Sequence, residues 1–375
     1  MSHAPIYAET VRHFLAPVSG LLDDDDVTEI LLNGYDTIYF ERGGKLEKAE
    51  LSFPNQSALL AAARNIAEYS HRNIGDADHS MDARLPDGSR VHAIVPPSAR
   101  NGVCISIRKF KQSTFDLEKL IDWGSLTHEA KEFLSLAVLL HKNTVIAGGT
   151  GTGKTSLLNA LSSEIPAQER IVVIEDSSEL QLKQPHTVYL EAQPARPDGT
   201  GQVTIRDLFV DSLRMRPDRI VVGEVRRGEA LDLIQSMISG HSGSLTTVHA
   251  TTANDAAIRL ETLSMMSDIA IPAHVARVQV ASAIHLVIQI RRYRDGSRKI
   301  YSISECLGLD AKHNYCFEDI YRFEAVGNDS SGQVRGQLNW TGYQPSFYQE
   351  PLAMGYRDRI DLTKRLFLSD ASVTD

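Results

Sequence analysis

Four short stretches, residues 144–147, 171–174, 220–222 and 245–248, are apolar or β-branched at nearly every position, and segments with helical spacing separate them, among them 156–165 and 229–238. Runs without alternation suit strands covered on both faces, so this part of the chain predicts a parallel sheet with helices on either side. Upstream, between Val27 and Phe110, the pattern is mixed. Residues 30–32 and 37–40 read as strands joined by a turn at Asn33 and Gly34, and 42–45 reverse the chain again. Residues 57–69 are rich in Ala and Leu and read as a helix. A turn over 84–90 leads into strand-like 91–95 and, past Pro96 and Pro97, into 103–107. The reading is a small α+β domain. The opening residues, with Tyr7, Val11, Phe14 and Leu15, suit one helix, and the acidic block Asp23, Asp24, Asp25, Asp26 reads as a solvated helix N-terminus. Beyond Ala281, residues 284–293 and 299–304 flank Asp295 and Gly296, a hairpin signal. The basic residues of that hairpin, Arg291, Arg292, Arg294, Arg298 and Lys299, read as a solvated strand edge protected by charge. The divisions are therefore a helical segment at 1–22, the α+β domain at 23–109, a polar linker at 110–126, an α/β domain at 127–325, and a β appendage with a loosely held tail at 326–375.

Composition narrows the function classes. The 375 residues include three cysteines, Cys104, Cys306 and Cys316, without metal-ligand spacing, which excludes a disulfide scaffold. No apolar run approaches the ~20 residues of a membrane helix. Met1 to Pro5 carries neither a basic start nor an apolar stretch, so export by signal peptide is not expected. A formal net charge of −9 argues against broad electrostatic capture of nucleic acid, and no nucleic-acid partner is expected.

The chemistry begins at Gly148, Gly149, Thr150, Gly151, Thr152, Gly153, Lys154 and Thr155, which fit G-x-x-x-x-G-K-[ST] between an apolar strand and a helix. Glycines let successive backbone N–H groups turn inward around a phosphate, and the helix that follows adds its positive end. Lys154 is expected to reach the β- and γ-phosphates of ATP, and the Thr155 hydroxyl to ligate Mg²⁺. Two further apolar strands end in carboxylates: Glu175, Asp176 and Glu179 after one, Glu224 after the other. One such group can hold Mg²⁺ through water and another can orient or deprotonate the attacking water. His249 ends a fourth apolar run. Alone it reads as a satisfied side chain, and its place at a strand end turns it toward γ-phosphate contact.

Together with residues 174–180, 213–226 and 240–250, the segment 148–156 resembles the ATPases of type II and type IV secretion and of type IV pili. The similarity is nearest to the CpaF/TadA branch that powers tight-adherence (Tad, Flp) pili. Residues 28–34, 38–44, 84–90, 106–110 and 213–218 are similar to stretches of that branch. The resemblance implies an α/β fold with a RecA-like P-loop NTPase motor domain preceded by a small α+β N-terminal domain. It implies that Gly148 to Ser156 bind nucleotide, with Lys154 and Thr155 as the Walker A pair and Glu224 as the Walker B glutamate acting on Mg²⁺ through water. It further implies Glu179 as the catalytic glutamate, Glu175 and Asp176 as the first acidic pair of its motif, and His249, with His241, as the histidine box. Arg90 and Arg108, otherwise a turn charge and a linker charge, become arginines that reach the γ-phosphate. The implied assembly is a homohexamer on the cytoplasmic face of the inner membrane, held there by platform proteins. The alternative within the superfamily is a type IV secretion traffic ATPase. No cysteine tetrad is present, so a structural zinc is not expected.

Overall fold

A computed structural model describes residues 4–110, 116–195, 199–329 and 332–368. The chain divides into two compact units, residues 1–113 with 195–201, and residues 114–194 with 202–375.

In the first unit the chain runs through α1 (Ala4–Phe14), a 3₁₀ turn (Ala16–Val18), α2 (Ser19–Asp23), β1 (Val27–Asn33), β2 (Ile38–Arg42), β3 (Lys45–Ala49), α3 (Gln56–Tyr69), β4 (Ser80–Arg84), β5 (Arg90–Ile94) and β6 (Cys104–Arg108). Among the described residues these strands form one antiparallel sheet in the order β3-β2-β1-β6-β5-β4. Alternation sets its two faces. Ile30, Leu32, Val91, Ala93, Ile105 and Ile107 turn inward to a core that includes Leu59, Ala62, Ala63 and Ile66 of α3. The Asn55 side chain starts α3 by accepting from Ala58 N at 2.9 Å. The acidic block is not a helix N-terminus. Asp23 ends α2 and pairs with Arg12 at 2.6 Å, and Asp24 pairs with Arg42 across the turn into β1.

The second unit contains α4 (Leu117–Asp122), α5 (His128–Leu139), β7 (Thr144–Gly148), α6 (Lys154–Ser162), β8 (Ile171–Glu175), β9 (Thr187–Glu191), α7 (Ile205–Ser212), β10 (Arg219–Val222), α8 (Glu229–Ile238), β11 (Leu245–Val248), α9 (Ala253–Ser264), α10 (Ala273–Ala283), β12 (Leu286–Arg292), β13 (Arg298–Leu309), β14 (Tyr315–Asn328), β15 (Val334–Trp340), α11 (Glu350–Ala353) and α12 (Lys364–Phe367). The sheet order is β15-β14-β13-β12-β7-β11-β10-β8-β9. The six strands from β12 to β9 in that order are parallel, as the unalternating runs require, and β13 to β15 add antiparallel. One face buries Leu134, Leu157 and Leu161 of α5 and α6, and the other buries Ile234, Leu260 and Val280 of α8, α9 and α10. This is a mixed α/β fold with helices on both faces.

Two sequence expectations change here. The linker 110–126 includes residues 111–115, which lie outside the described residues, but its later part is α4, whose Leu117 and Leu120 are buried in the second core. The described part of the tail is firmly packed. Phe347 and Phe367 lie against Phe133 of α5 at ring-centre distances of 6.1 and 6.0 Å. Glu132 accepts the backbone N–H groups of Asp361, Leu362 and Thr363, while buried Glu305 accepts from Ser346 and Tyr343.

Candidate active site

β7 is buried at every position and delivers Gly148 to the carboxyl edge of the sheet, where open α/β folds bind ligands. A Cβ on Gly148 would lie 2.5 Å from Thr152 Oγ1 and 3.0 Å from the Ile290 carbonyl, so the position admits only glycine. Gly151 and Gly153 take φ of 68° and 94°, the left-handed conformations that turn the loop into α6. Thr152 Oγ1 donates to Gly149 O at 2.9 Å, and buried Lys154 donates to the same carbonyl at 3.0 Å. The N-cap of α6, Gly153, brings no side chain to the first turn, and a helix N-terminus of this kind suits an anion. Thr155 and Ser156 occupy the first turn of that helix, and Gly149 and Thr150 lie in the loop before it.

The adjacent strand ends supply the charged groups. β10 is followed by Gly223 and Glu224, and β11 by His249. His249 Nε2 lies 3.5 Å from Lys154 Nζ and 2.7 Å from Glu224 Oε1. Arg226 Nε donates to Glu224 Oε2 at 2.7 Å, and the same guanidinium pairs with Asp176, beyond β8. Burial disfavours the charged form of Arg226, but Asp176, Glu224 and Glu179 outweigh it and raise its pKa above the ordinary arginine value. His249 moves the other way. Burial first and then the Lys154 charge lower its pKa, against the pull of Glu224, so the imidazole stays neutral to lower pH than an ordinary histidine.

Glu175 is nearly fully buried and turns its carboxylate onto the chain. Its Oε1 accepts from Glu179 N at 2.9 Å and Leu180 N at 3.0 Å, shaping the loop that carries Glu179. Gly223 makes room for it, since a Cβ there would stand 3.0 Å from Glu175 Cγ.

The structure therefore brings together Lys154, His249, Glu224 and Asp176, and places Glu179 within the same field. His241 does not join them within the chain. It precedes β11, at the amino edge of the sheet, about 13 Å along a four-residue strand from the edge that carries the P-loop. Its role as a nucleotide-binding residue is not supported by that position. Arg90 and Arg108 belong to the first unit, where they are direct cross-strand neighbours, with Arg84 beyond Arg90 in the same row. That row leaves the sheet on the side away from Val91 and Ile107.

Two features had escaped the sequence reading. Arg226 bridges Asp176 and Glu224, and its only signal was its place two residues after a strand-end glutamate. The basic hairpin is not a strand edge, because β13 is paired on both sides. Arg298 Nε donates to Gly151 O at 3.0 Å, and Lys299 Nζ donates to the carbonyls of Trp123 and Gly124.

Residues 13–327 match the family model described as type II/IV secretion system protein. The chain is 36% identical over 278 residues to the type IV secretion system protein VirB11 of Bartonella henselae, covering 64% of this chain and 76% of that protein. It is 33% identical over 324 residues to the type IV secretion system protein PtlH of Bordetella pertussis, covering 79% and 95%. The solved structure of the Legionella pneumophila ATPase DotB shares the fold, with a TM-score of 0.55 at 18% identity over 82% of each chain. A P-loop flanked by strand-end carboxylates, on a chain matched over 13–327, leads to one statement: this protein belongs to the type II/IV secretion system protein family and is an ATPase.

Proposed function

We propose that this ATPase is the motor of a tight-adherence type pilus, working as a homohexamer at the cytoplasmic face of the inner membrane, where platform proteins hold it. The observation that carries the catalytic part is the chain of contacts Lys154–His249–Glu224–Arg226–Asp176 beside the P-loop. In this reading the loop amides and Lys154 hold the β- and γ-phosphates of ATP. Glu179 takes the proton of the attacking water, the bond from the γ-phosphorus to the bridging oxygen breaks, and ADP leaves with that oxygen.

The donor set fits a magnesium ion. Glu224 Oε1 is buried, 2.7 Å from His249 Nε2, and Thr155 stands in the first turn of α6 next to Lys154. Such a carboxylate suits an ion held through water. When bound, Mg²⁺ neutralises charge on the β- and γ-oxygens. Arg90 and Arg108 are the arginines proposed to reach the γ-phosphate.

A second reading has its own support. The relatives VirB11 and PtlH carry type IV secretion names, which favours a traffic ATPase that moves protein or DNA. Deleting the gene in its own cell separates the two: loss of surface pili supports the pilus motor, and loss of substrate transfer with pili intact overturns it.

Two results are expected of the purified protein. Arg90→Ala or Arg108→Ala retains ATP binding but slows hydrolysis by about 10³-fold or more, the scale of an arginine finger. Equal phosphate release in variant and parent removes these arginines from the reaction. In a pH profile of turnover, the acid limb due to His249 lies below the ordinary histidine value, because only protonation removes the neutral imidazole and its pKa is lowered. That limb disappears in His249→Gln. An unaltered limb assigns the titration to another group.

A further inference from the structure

Arg292 and Arg298 stand directly opposite one another in the β12–β13 register. Side chains paired in this way share one face, and like charges so placed oppose the pairing. Alternation fixes which face it is. Arg291, one position earlier, lays its guanidinium 3.2 Å from the centre of the Tyr301 ring, so Arg292 leaves the strand on the other side. That side carries the tip of the P-loop. Arg298 Nε donates to Gly151 O at 3.0 Å, and its Cδ would be 3.4 Å from a Cβ on Gly153. Arg292 Nη1 would be 3.4 Å from a Cβ on Gly151. The hairpin is anchored from two directions. Ser125 Oγ donates to the Arg298 carbonyl at 2.5 Å, and Asp295 Oδ2 accepts from Val334 N at 2.6 Å.

Strand order gives this pair an orientation relative to the reaction. β7 lies between β12 and β11. Glu224 and His249, which follow β10 and β11, lie to one side of the P-loop, and the hairpin lies to the other. A nucleotide whose terminal phosphate faces Glu224 and His249 therefore directs its opposite end toward Arg292 and Arg298. From this we infer that the two arginines bind the non-reacting end of the nucleotide, pairing with the α-phosphate and laying a guanidinium plane on the base. Arginine suits both tasks, since its planar fork meets phosphate oxygens and stacks on aromatic rings. The inference rests on the ATP site proposed above.

ADP is the probe, because it carries the α-phosphate and base without the reacting phosphate. In the full chain, Arg292→Gln combined with Arg298→Gln weakens ADP binding, followed by equilibrium titration, about tenfold to a hundredfold, the range of lost charged hydrogen bonds. KM for ATP rises by a similar factor, and kcat falls by much less. Arg292→Lys restores part of the affinity, keeping the charge but not the plane. A fall in kcat with ADP affinity unchanged overturns the inference by placing the arginines at the reacting end, and unchanged values of both overturn it as well. If thermal melting shows the double variant unfolded, Arg292→Gln against Arg292→Lys decides by the same comparison. A parent chain that binds no ADP takes down the nucleotide site itself, whereas equal affinity in parent and variant removes only the hairpin from it.

Discussion

Replacing Lys154 with alanine lowers ATP turnover by about 10²–10³-fold at least, the loss expected when one preorganised electrostatic group is removed from a developing charge. Lys154 is nearly fully buried, opens α6, and sits 3.0 Å from the Gly149 carbonyl and 3.5 Å from His249. An ammonium held there is already oriented and only has to exchange a carbonyl for phosphate oxygens. Alanine removes the charge and leaves the loop glycines in place, so the fold persists while the site fails. A second signal follows from the same substitution. The Lys154 charge is one of the causes that lower the His249 pKa, so its removal raises that pKa. Phosphate release and histidine NMR titration together check the prediction. Turnover within twofold of the parent, or a His249 titration that does not move upward, contradicts it.

The second large effect concerns the amino edge of the same sheet. Arg219 is completely buried and donates to Glu169 Oε2 at 2.5 Å and to the Val138 carbonyl at 2.8 Å. His141 Nε2 stands 3.5 Å from the other Glu169 oxygen. Replacing Glu169 with glutamine leaves the guanidinium buried without its counter-charge, a loss of about 3–5 kcal/mol. For a unit of this size that corresponds to a fall in Tm of roughly 6–20 °C. Burial works to raise the Glu169 pKa, but the hydrogen bonds from His141 and Arg219 and their charges outweigh it, bringing it down from 4.5 to about 2. A depressed carboxylate stabilises the fold fully above its unfolded value and loses that contribution as the pH falls through the folded one. The gap in Tm between parent and Glu169→Gln is thus widest near neutrality and narrows from about pH 4.5 toward pH 2. Melting curves across that range check it. A gap independent of pH assigns the loss to packing.

The strands that sequence pattern reveals are those with neighbours on both sides. β7, β8, β10 and β11 are buried along their length, and burial on two faces writes an unbroken apolar run. β3, β4 and β9 were not found, and each is an outermost strand of its sheet; β14, flanked by β13 and β15, was not found either. β3 reads Lys45–Ala49 and is exposed at all but its last position, so nothing in its composition separates it from a loop. The site divides in the same way. The P-loop is local, because its glycines and lysine must follow one another to enclose a phosphate, and it was legible from spacing alone. Arg226 and Arg298 act on residues 50 and 147 positions away, Asp176 and Gly151, and distance in sequence leaves no pattern to read. Gly243 shows the converse. It lies in the stretch 240–250 between His241 and His249, and its place is explained by Arg219, whose Nη1 would stand 2.0 Å from a Cβ there.

The seating of Phe347 and Phe367 on Phe133 bears on how the molecule is made. Helix α5 is synthesised early, yet the rings that cover it emerge from the ribosome more than two hundred residues later. The nascent second unit must therefore wait with one apolar flank bare until translation of that late segment. A chaperone that shelters aromatic surface during this interval, or a rare-codon pause placed after it, would raise the yield of native protein.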